Sequence, residues 1–388
     1  MHARTHRRCL AVLTLCLASF GSFAQPGGIP EGFAQEAKRI VDAAVADPDL
    51  PGMSVAVVFP GGETVRVAGG LARVEPKERM TPEARILSGS IGKLYCAVVV
   101  LQLAGEGVLE LDGLVSEHLA ERDWFAGFPN SDALTVRSLL NHTAGVPEHV
   151  WSATFRDALA ADPQKTWTFD ELLAISDGAN PLFEVGEGWS YADTNYLVLG
   201  ALVEQVTGEA YEDVLRARVL IPLGLEDTLT NDGPELPGLV SGYSRLAGMF
   251  PISEETASDG VYAMNPSFEK TGGGITSTSA DLARFAHAVF AGDLVPAGLR
   301  DELVEGVPAP MLGQGVAYGL GVILTPTEHG TALGHSGIMP GYLSEVRHYP
   351  GLVEDGGVTV AVMVNTDRVA GQRGIAEALN GLSALLGE

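Results

Sequence analysis

The chain has 388 residues, 46% of them hydrophobic and 19% charged, which excludes an intrinsically disordered protein and allows one large domain or two intimately packed ones. Its 24 Lys and Arg against 49 Asp and Glu give a formal charge of -25. A field of that sign disfavours nucleic acid and anionic membranes as partners.

The N-terminal stretch MHARTHRRCLAVLTLCLASFGSFA sets Arg4, Arg7 and Arg8 before an apolar run from Cys9 to Phe20 and ends on the small-x-small pattern Ser22-Phe23-Ala24. This predicts a secretory signal peptide over residues 1-24, so residues 25-388 are expected as one exported domain, periplasmic or secreted. A lipoprotein anchor would need a small residue before Cys16, where Leu15 stands. The apolar run is also shorter than the roughly 20 residues of a membrane span. No later run reaches that length without Gly, Pro or charge, so no membrane partner is expected after cleavage. Cys9 and Cys16 leave with the leader, so Cys96 alone remains and an internal disulfide is excluded. Cys96 lies in an apolar run with no activating neighbour, the setting of a core residue.

Phe33, Ala37, Ile40/Val41 and Ala44 recur at helical spacing before Pro48 and Pro51. MSVAVVF and ETVRVAGG, joined across Pro60-Gly61-Gly62, predict a hairpin. A helix from Ser90 to Ala104 follows, stopped at Gly105-Glu106-Gly107. From Asp112 to Pro310 the pattern is mainly helical with long loops: Thr168 and Glu171 form a capping box, Asn195 to Val206 stops at Gly208, and Thr278 with Asp281 opens LARFAHAVFAG. AYGLGVIL, TALGHSG, YLSEVRHY and VTVAVMVN then read as strands, and IAEALNGLSALL as a closing helix. This order implies an α/β fold of the α+β type. A mostly antiparallel sheet is drawn from about residues 30-110 and 311-388 and flanked by the terminal helices, and a large helical insertion (about 111-310) packs beside it.

The stretch LSGSIGKLYCAVVV admits three chemistries. A phosphate loop would need Gly at 87 and a hydroxyl at 94, and both are Leu. A nucleophile elbow, G-x-S-x-G, fails because Ser88 stands at its first Gly; Gly334-His335-Ser336-Gly337-Ile338 lacks the last one. Ser90-Ile91-Gly92-Lys93 fits S-x-x-K. Three residues apart on a helix, the lysine amine reaches the serine hydroxyl at the helix N-terminus, where free N-H groups favour developing negative charge.

Downstream, LLNHTAGVPEH, WSYADTNYLVLG, TGGGITSTSADLARF and GHSGIMPGY follow in order. With S-x-x-K, this set resembles the serine beta-lactamase and DD-peptidase-like hydrolases, the branch of class C beta-lactamases, D-Ala-D-Ala carboxypeptidases, D-aminopeptidases and beta-lactamase-like esterases. The resemblance runs from Gly52 to Asn365 and implies a beta-lactamase/transpeptidase-like fold. It implies Ser90 as the acylated nucleophile, Lys93 as the amine holding the proton balance, and Tyr191 as the phenol that takes the Ser90 proton and passes it to the leaving group. A tyrosine of ordinary pKa near 10 needs a cation such as Lys93 to favour its phenolate. His335-Ser336-Gly337 resembles the K-T-G or H-x-G strand: Gly337 lets substrate lie along the strand edge and Ser336 donates to a substrate carboxylate. The Ile338 N-H, with that of Ser90, would form an oxyanion hole; losing one such donor costs about 10² to 10³ in rate.

Two positions depart from the penicillin-recognising pattern. Asp193 stands where the Y-x-N element has Asn, and His335 where class C lactamases have Lys. An ionised Asp only accepts hydrogen bonds and repels carboxylates, and His carries at most a partial charge near neutrality. Weaker retention of an anionic leaving group is therefore expected. Asn195 reads as a helix-start residue and His142 as structural. His142 and His149, seven apart without further ligands, support no metal site, and the chemistry requires no cofactor. Gly272-Gly273-Gly274 is expected to let the backbone pass close to the site floor.

The expected function is a hydrolase of small-molecule or peptide substrates through a Ser90 acyl-enzyme, acting as a D-Ala-D-Ala carboxypeptidase, D-peptidase or esterase. The alternatives are a beta-lactamase, or a penicillin- or wall-fragment-binding protein that does not turn over.

Overall fold

The structure, a computed structural model, describes residues 28-230, 233-353 and 356-387. The leader expected over residues 1-24 lies outside them.

Helix α1 (Phe33–Ala44) buries Phe33, Ala37, Val41 and Ala44 along one face, as their spacing requires. Strands β1 (Gly52–Val58) and β2 (Thr64–Arg73) form the expected hairpin, with Val55 opposite Val67. Near the other end of the chain come β3 (Ile323–Thr327), β4 (Gly330–Met339), β5 (Tyr342–Tyr349) and β6 (Val358–Val364). They join the hairpin in a nine-stranded sheet ordered Glu78–Arg79, β2, β1, β6, β5, β4, β3, Ala317–Tyr318, Val307–Pro308. Its pairs are antiparallel, and β1 lies beside β6 with Val55 opposite Val362. Pairing the first strand with the last closes the fold.

Every residue of β1 and β6 is buried, because both faces of the sheet are covered. Val55, Val57, Val360 and Val362 pack with Phe33 and Val41 of α1 and with Leu379 and Leu382 of the C-terminal helix. The alternating residues Ala56, Val58, Ala361 and Met363 face the opposite core, the period of two that a strand imposes. That core surrounds α2 (Gly92–Gly105), whose residues from Gly92 to Leu101 are all buried. Around it lie α3 (Asp193–Thr207), stopped by Gly208 at φ 73°, and α4 (Ser279–Phe290), capped where the Thr278 hydroxyl accepts from the Asp281 N-H at 3.2 Å. The Thr168–Glu171 capping box also forms. Helix α5 (Val369–Gly387) begins six residues before the expected IAEALNGLSALL segment. Cys96 is a free buried thiol, pushed well above its ordinary range by burial. No helix among the described residues is long and apolar enough to cross a membrane.

One expected element divides. AYGLGVIL pairs only at Ala317–Tyr318 and again from Ile323, because the chain dips out of the sheet between them. Gly321 adopts φ 80° and donates its N-H to the Leu140 carbonyl at 3.2 Å. A Cβ there would stand 2.6 Å from the Ala97 methyl and 3.0 Å from the Tyr196 hydroxyl, so only glycine fits this descent against α2.

Leu382 is fully buried between α5 and the sheet. Leu382→Ala is expected to lower the unfolding free energy by about 2 to 5 kcal/mol, read as a reduced urea midpoint at unchanged m-value.

Candidate active site

Ser90 sits in a 3-10 turn, Gly89–Ile91, that runs directly into α2. The turn is pinned from two sides: the Ser88 N-H and hydroxyl donate to the Ile275 carbonyl at 2.9 and 3.0 Å, and the Ser344 hydroxyl of β5 donates to the Ser88 carbonyl at 2.6 Å. Backbone meets backbone here. A Cβ on Gly89, which has φ 54°, would lie 2.5 Å from the Ile338 nitrogen, and one on Gly337 would lie 1.9 Å from the Ser88 oxygen. Two glycines thus press the Ser90 turn onto β4, bringing the Ser90 peptide beside that of Ile338 in the juxtaposition an oxyanion hole needs.

The Lys93 side chain has no solvent exposure, and its ammonium donates to Ser90 Oγ at 3.2 Å and to the Gly272 carbonyl at 2.8 Å. It also forms an ion pair with Asp193. The triple glycine takes its expected place: a Cβ on Gly273 would come 3.0 Å from the Gly89 carbonyl carbon, and one on Gly272 3.6 Å from Lys93 Nζ. Burial alone would lower the lysine pKa, but the Asp193 and Glu269 carboxyls outweigh it and hold the ammonium above its ordinary range. Asp193 itself is raised, by burial and by the nearby Glu148, against the pull of Lys93.

Tyr191 lines the same cleft as Ser90, and its ring centroid lies 5.0 Å from Lys93 Nζ. Burial, reinforced by the Asp193 charge, raises its pKa well above 10. Asp193 neutralises the cation that was expected to favour a phenolate, so the phenol rests protonated.

His335 is 3% exposed, and both ring nitrogens are engaged. Nδ1-H donates to the Ser336 carbonyl at 2.6 Å, which leaves Nε2 to accept from the Tyr318 hydroxyl at 2.9 Å. Burial, then the Lys93 charge, lowers its pKa to about 3, so the imidazole is neutral at physiological pH.

A cleft of about 380 Å³ opens on Ser90, Tyr191, His335, Ser336, Gly337 and Ile338. Its described lining includes one carboxylate, Glu345, and no Lys or Arg. Arg347, just beyond, donates from Nε to Glu345 at 2.6 Å. Asp193 does not line this cleft; it lies behind it, on Lys93. Of the eight residues singled out in the sequence, seven therefore line the cleft or hold its serine, and Asp193 holds the lysine.

Sequence patterns gave no sign of Glu148 or Glu269. Glu148 accepts the Asp193 N-H at 2.5 Å, at an α3 N-terminus that has no side-chain cap of its own. Glu269 Oε2 lies 3.2 Å from the place of a Gly272 Cβ, beside Lys93, and burial and Asp193 raise its carboxyl well above the usual range. Both reach the site from loops distant in sequence from Ser90; Glu148 lies within LLNHTAGVPEH, where its spacing carries no catalytic pattern. Asn195 is a first-turn residue of α3, as expected.

A serine, a buried amine and a phenol gathered at one cleft are groups a serine hydrolase uses. The Beta-lactamase family model matches residues 37-384, and the chain belongs to that family. Penicillin-binding protein 4 of Amycolatopsis lactamdurans is 29% identical over 343 residues, 84% of this chain and 83% of that protein. Penicillin-binding protein 4* of Bacillus subtilis (strain 168) is 25% identical over 72% of this chain, which spans only 61% of that protein's length. Among solved structures, a D-stereospecific amidohydrolase from Streptomyces sp. superposes with TM-score 0.74 at 28% identity, covering 89% of this chain and 98% of that one.

His335 supplies a stability test. Its pKa is depressed below the unfolded value near 6.5, so its contribution is complete above pH 6.5 and is lost as pH falls towards 3. Between pH 6.5 and 4.5 this amounts to about 2 kcal/mol. The unfolding free energy of His335→Gln is expected to depend less on pH than that of wild type by up to that amount, measured by urea titration at both pH values.

Proposed function

We propose that this chain is an exported hydrolase that cleaves uncharged amides of D-residues, and simple esters, through an acyl-enzyme on Ser90. The observation that carries this reading is the charge of the cleft. Lys93 is consumed by Asp193, Arg347 by Glu345, and His335 is neutral, so the described cleft has no free cation for a substrate carboxylate. A carboxylate next to the scissile bond, as in a D-Ala-D-Ala terminus or a penicillin, finds no such cation to pair with. The likeness to a D-stereospecific amidohydrolase supports the D-residue assignment. Export rests on the leader pattern and the penicillin-binding relatives.

The proton inventory follows from the pairings. In the resting pair Lys93 holds the proton; for reaction a proton crosses to Asp193 against that preference, leaving the amine 3.2 Å from Ser90 Oγ. As the serine oxygen bonds the substrate carbonyl carbon, its proton moves to Lys93 and the carbonyl electron pair moves to oxygen, facing the Ser90 and Ile338 N-H groups. Collapse expels the amine or alcohol, which takes the Tyr191 phenolic proton; Lys93 then restores the phenol. Water repeats the sequence on the acyl-enzyme, and Asp193 returns its proton to Lys93.

The test pairs steady-state kinetics with intact-mass analysis on D-phenylalanine amide, a D-Ala-D-Ala peptide and a penicillin. The amide is expected to be turned over with kcat/KM at least about tenfold above either carboxylate-bearing compound, a difference of 1.4 kcal/mol, with an adduct on Ser90 that Ser90→Ala abolishes. A carboxylate-bearing compound preferred over the amide would refute the substrate assignment, and a permanent adduct without product would identify a binder.

A further inference from the structure

His142 was expected to be structural, yet its contacts converge on one catalytic candidate. Its carbonyl accepts the Ser190 N-H at 3.1 Å. Its Nδ1 accepts the Ala192 N-H at 3.3 Å and the Asn195 Nδ2-H at 2.9 Å. The N-H groups of the residues on either side of Tyr191, Ser190 and Ala192, are thus tied to one residue. The imidazole also packs on the Tyr191 ring at 4.4 Å between centroids, with Tyr318 at 4.7 Å and Tyr196 at 5.4 Å around it.

The tautomer follows without assumption. The Ala192 backbone nitrogen can only donate, so Nδ1 carries no proton and the neutral imidazole carries it on Nε2. That Nε2 is buried with no partner in the structure. An unsatisfied buried donor costs about 1 to 3 kcal/mol, which a phenylalanine in the same cage would avoid. The backbone at His142 has φ 64°, a left-handed conformation that a bulky side chain adopts at a cost. A purely space-filling residue would avoid the first cost, though not the second.

We propose that His142 is a positioning residue for the reaction: its carbonyl and Nδ1 clamp the chain on either side of Tyr191 and so hold the phenol in the cleft with Ser90. Glu148 extends the same grip by taking the next N-H, that of Asp193. The LLNHTAGVPEH loop is therefore the mount of the proton-handling element. This rests on the role proposed for Tyr191, and a misplacement of about 1 Å there costs on the order of 10²-fold in rate.

Two variants separate positioning from packing. His142→Phe keeps an aromatic ring and loses the acceptor. His142→Asn loses the ring, but its Oδ1 stands in the place of Nδ1, and asparagine accepts a left-handed φ. With an amide substrate whose wild-type adduct maps to Ser90, His142→Phe is expected to lose about 10²-fold in kcat with KM changed less than about threefold. His142→Asn is expected to stay within about tenfold of wild type in kcat. A folded His142→Phe with wild-type kcat, or a His142→Asn as slow as the Phe variant, overturns the proposal. If the Phe variant does not fold, the kcat of His142→Asn decides alone: within tenfold supports the clamp, and a hundredfold loss overturns it. Absence of a Ser90 adduct in wild type would instead reject the acyl-enzyme reading itself.

Discussion

The site depends on one buried ammonium. Lys93 has no exposure, and an unpaired charge there would cost several kcal/mol. Three partners offset that cost: the Asp193 carboxylate, the Gly272 carbonyl and the Ser90 hydroxyl. Each comes from a different part of the chain, so satisfying one charge draws α2, the start of α3 and the triple-glycine turn to a common point. The same contacts place an amine beside a nucleophile. A single electrostatic requirement thereby shapes both the fold around the serine and its chemistry.

The sheet supplies the fourth wall. Its closure by the pairing of β1 with β6 fixes β5 and β4 in register, and β4 then meets the Ser90 turn through Gly337 and Gly89. Side chains at these glycines would collide with the opposing backbone, so the Ser90 turn is held against β4 by main chain. The Ser344 hydroxyl on the Ser88 carbonyl locks the contact from β5.

Much of this was legible in the sequence where chemistry is written in contiguous letters. SIGK, YAD and HSGI each hold their residues within a few positions, and periodicity located the hairpin, β5, β6 and both terminal helices. The remainder depends on tertiary closure. Glu269 and Glu148 become site residues only when their loops fold onto Lys93 and Asp193, and no spacing rule links positions so far apart. AYGLGVIL has the composition of one strand, but Gly321 turns it aside to accommodate Tyr196. Asp193 was read for its effect on a substrate carboxylate, and its ion pair with Lys93 is a tertiary contact that YAD does not spell out. Asp193 removes the positive charge of Lys93 from the cleft's electrostatics instead of adding a negative one to its wall.

That neutralisation is the central claim, and replacing the carboxylate by its neutral isostere addresses it directly. Asp193→Asn removes the carboxylate paired with Lys93, and the decisive quantity is the ratio of acylation efficiencies, kcat/KM, for a penicillin and for D-phenylalanine amide. The account predicts that this ratio rises in Asp193→Asn by about tenfold or more, equivalent to 1.4 kcal/mol of selectivity. A ratio unchanged from wild type would contradict it.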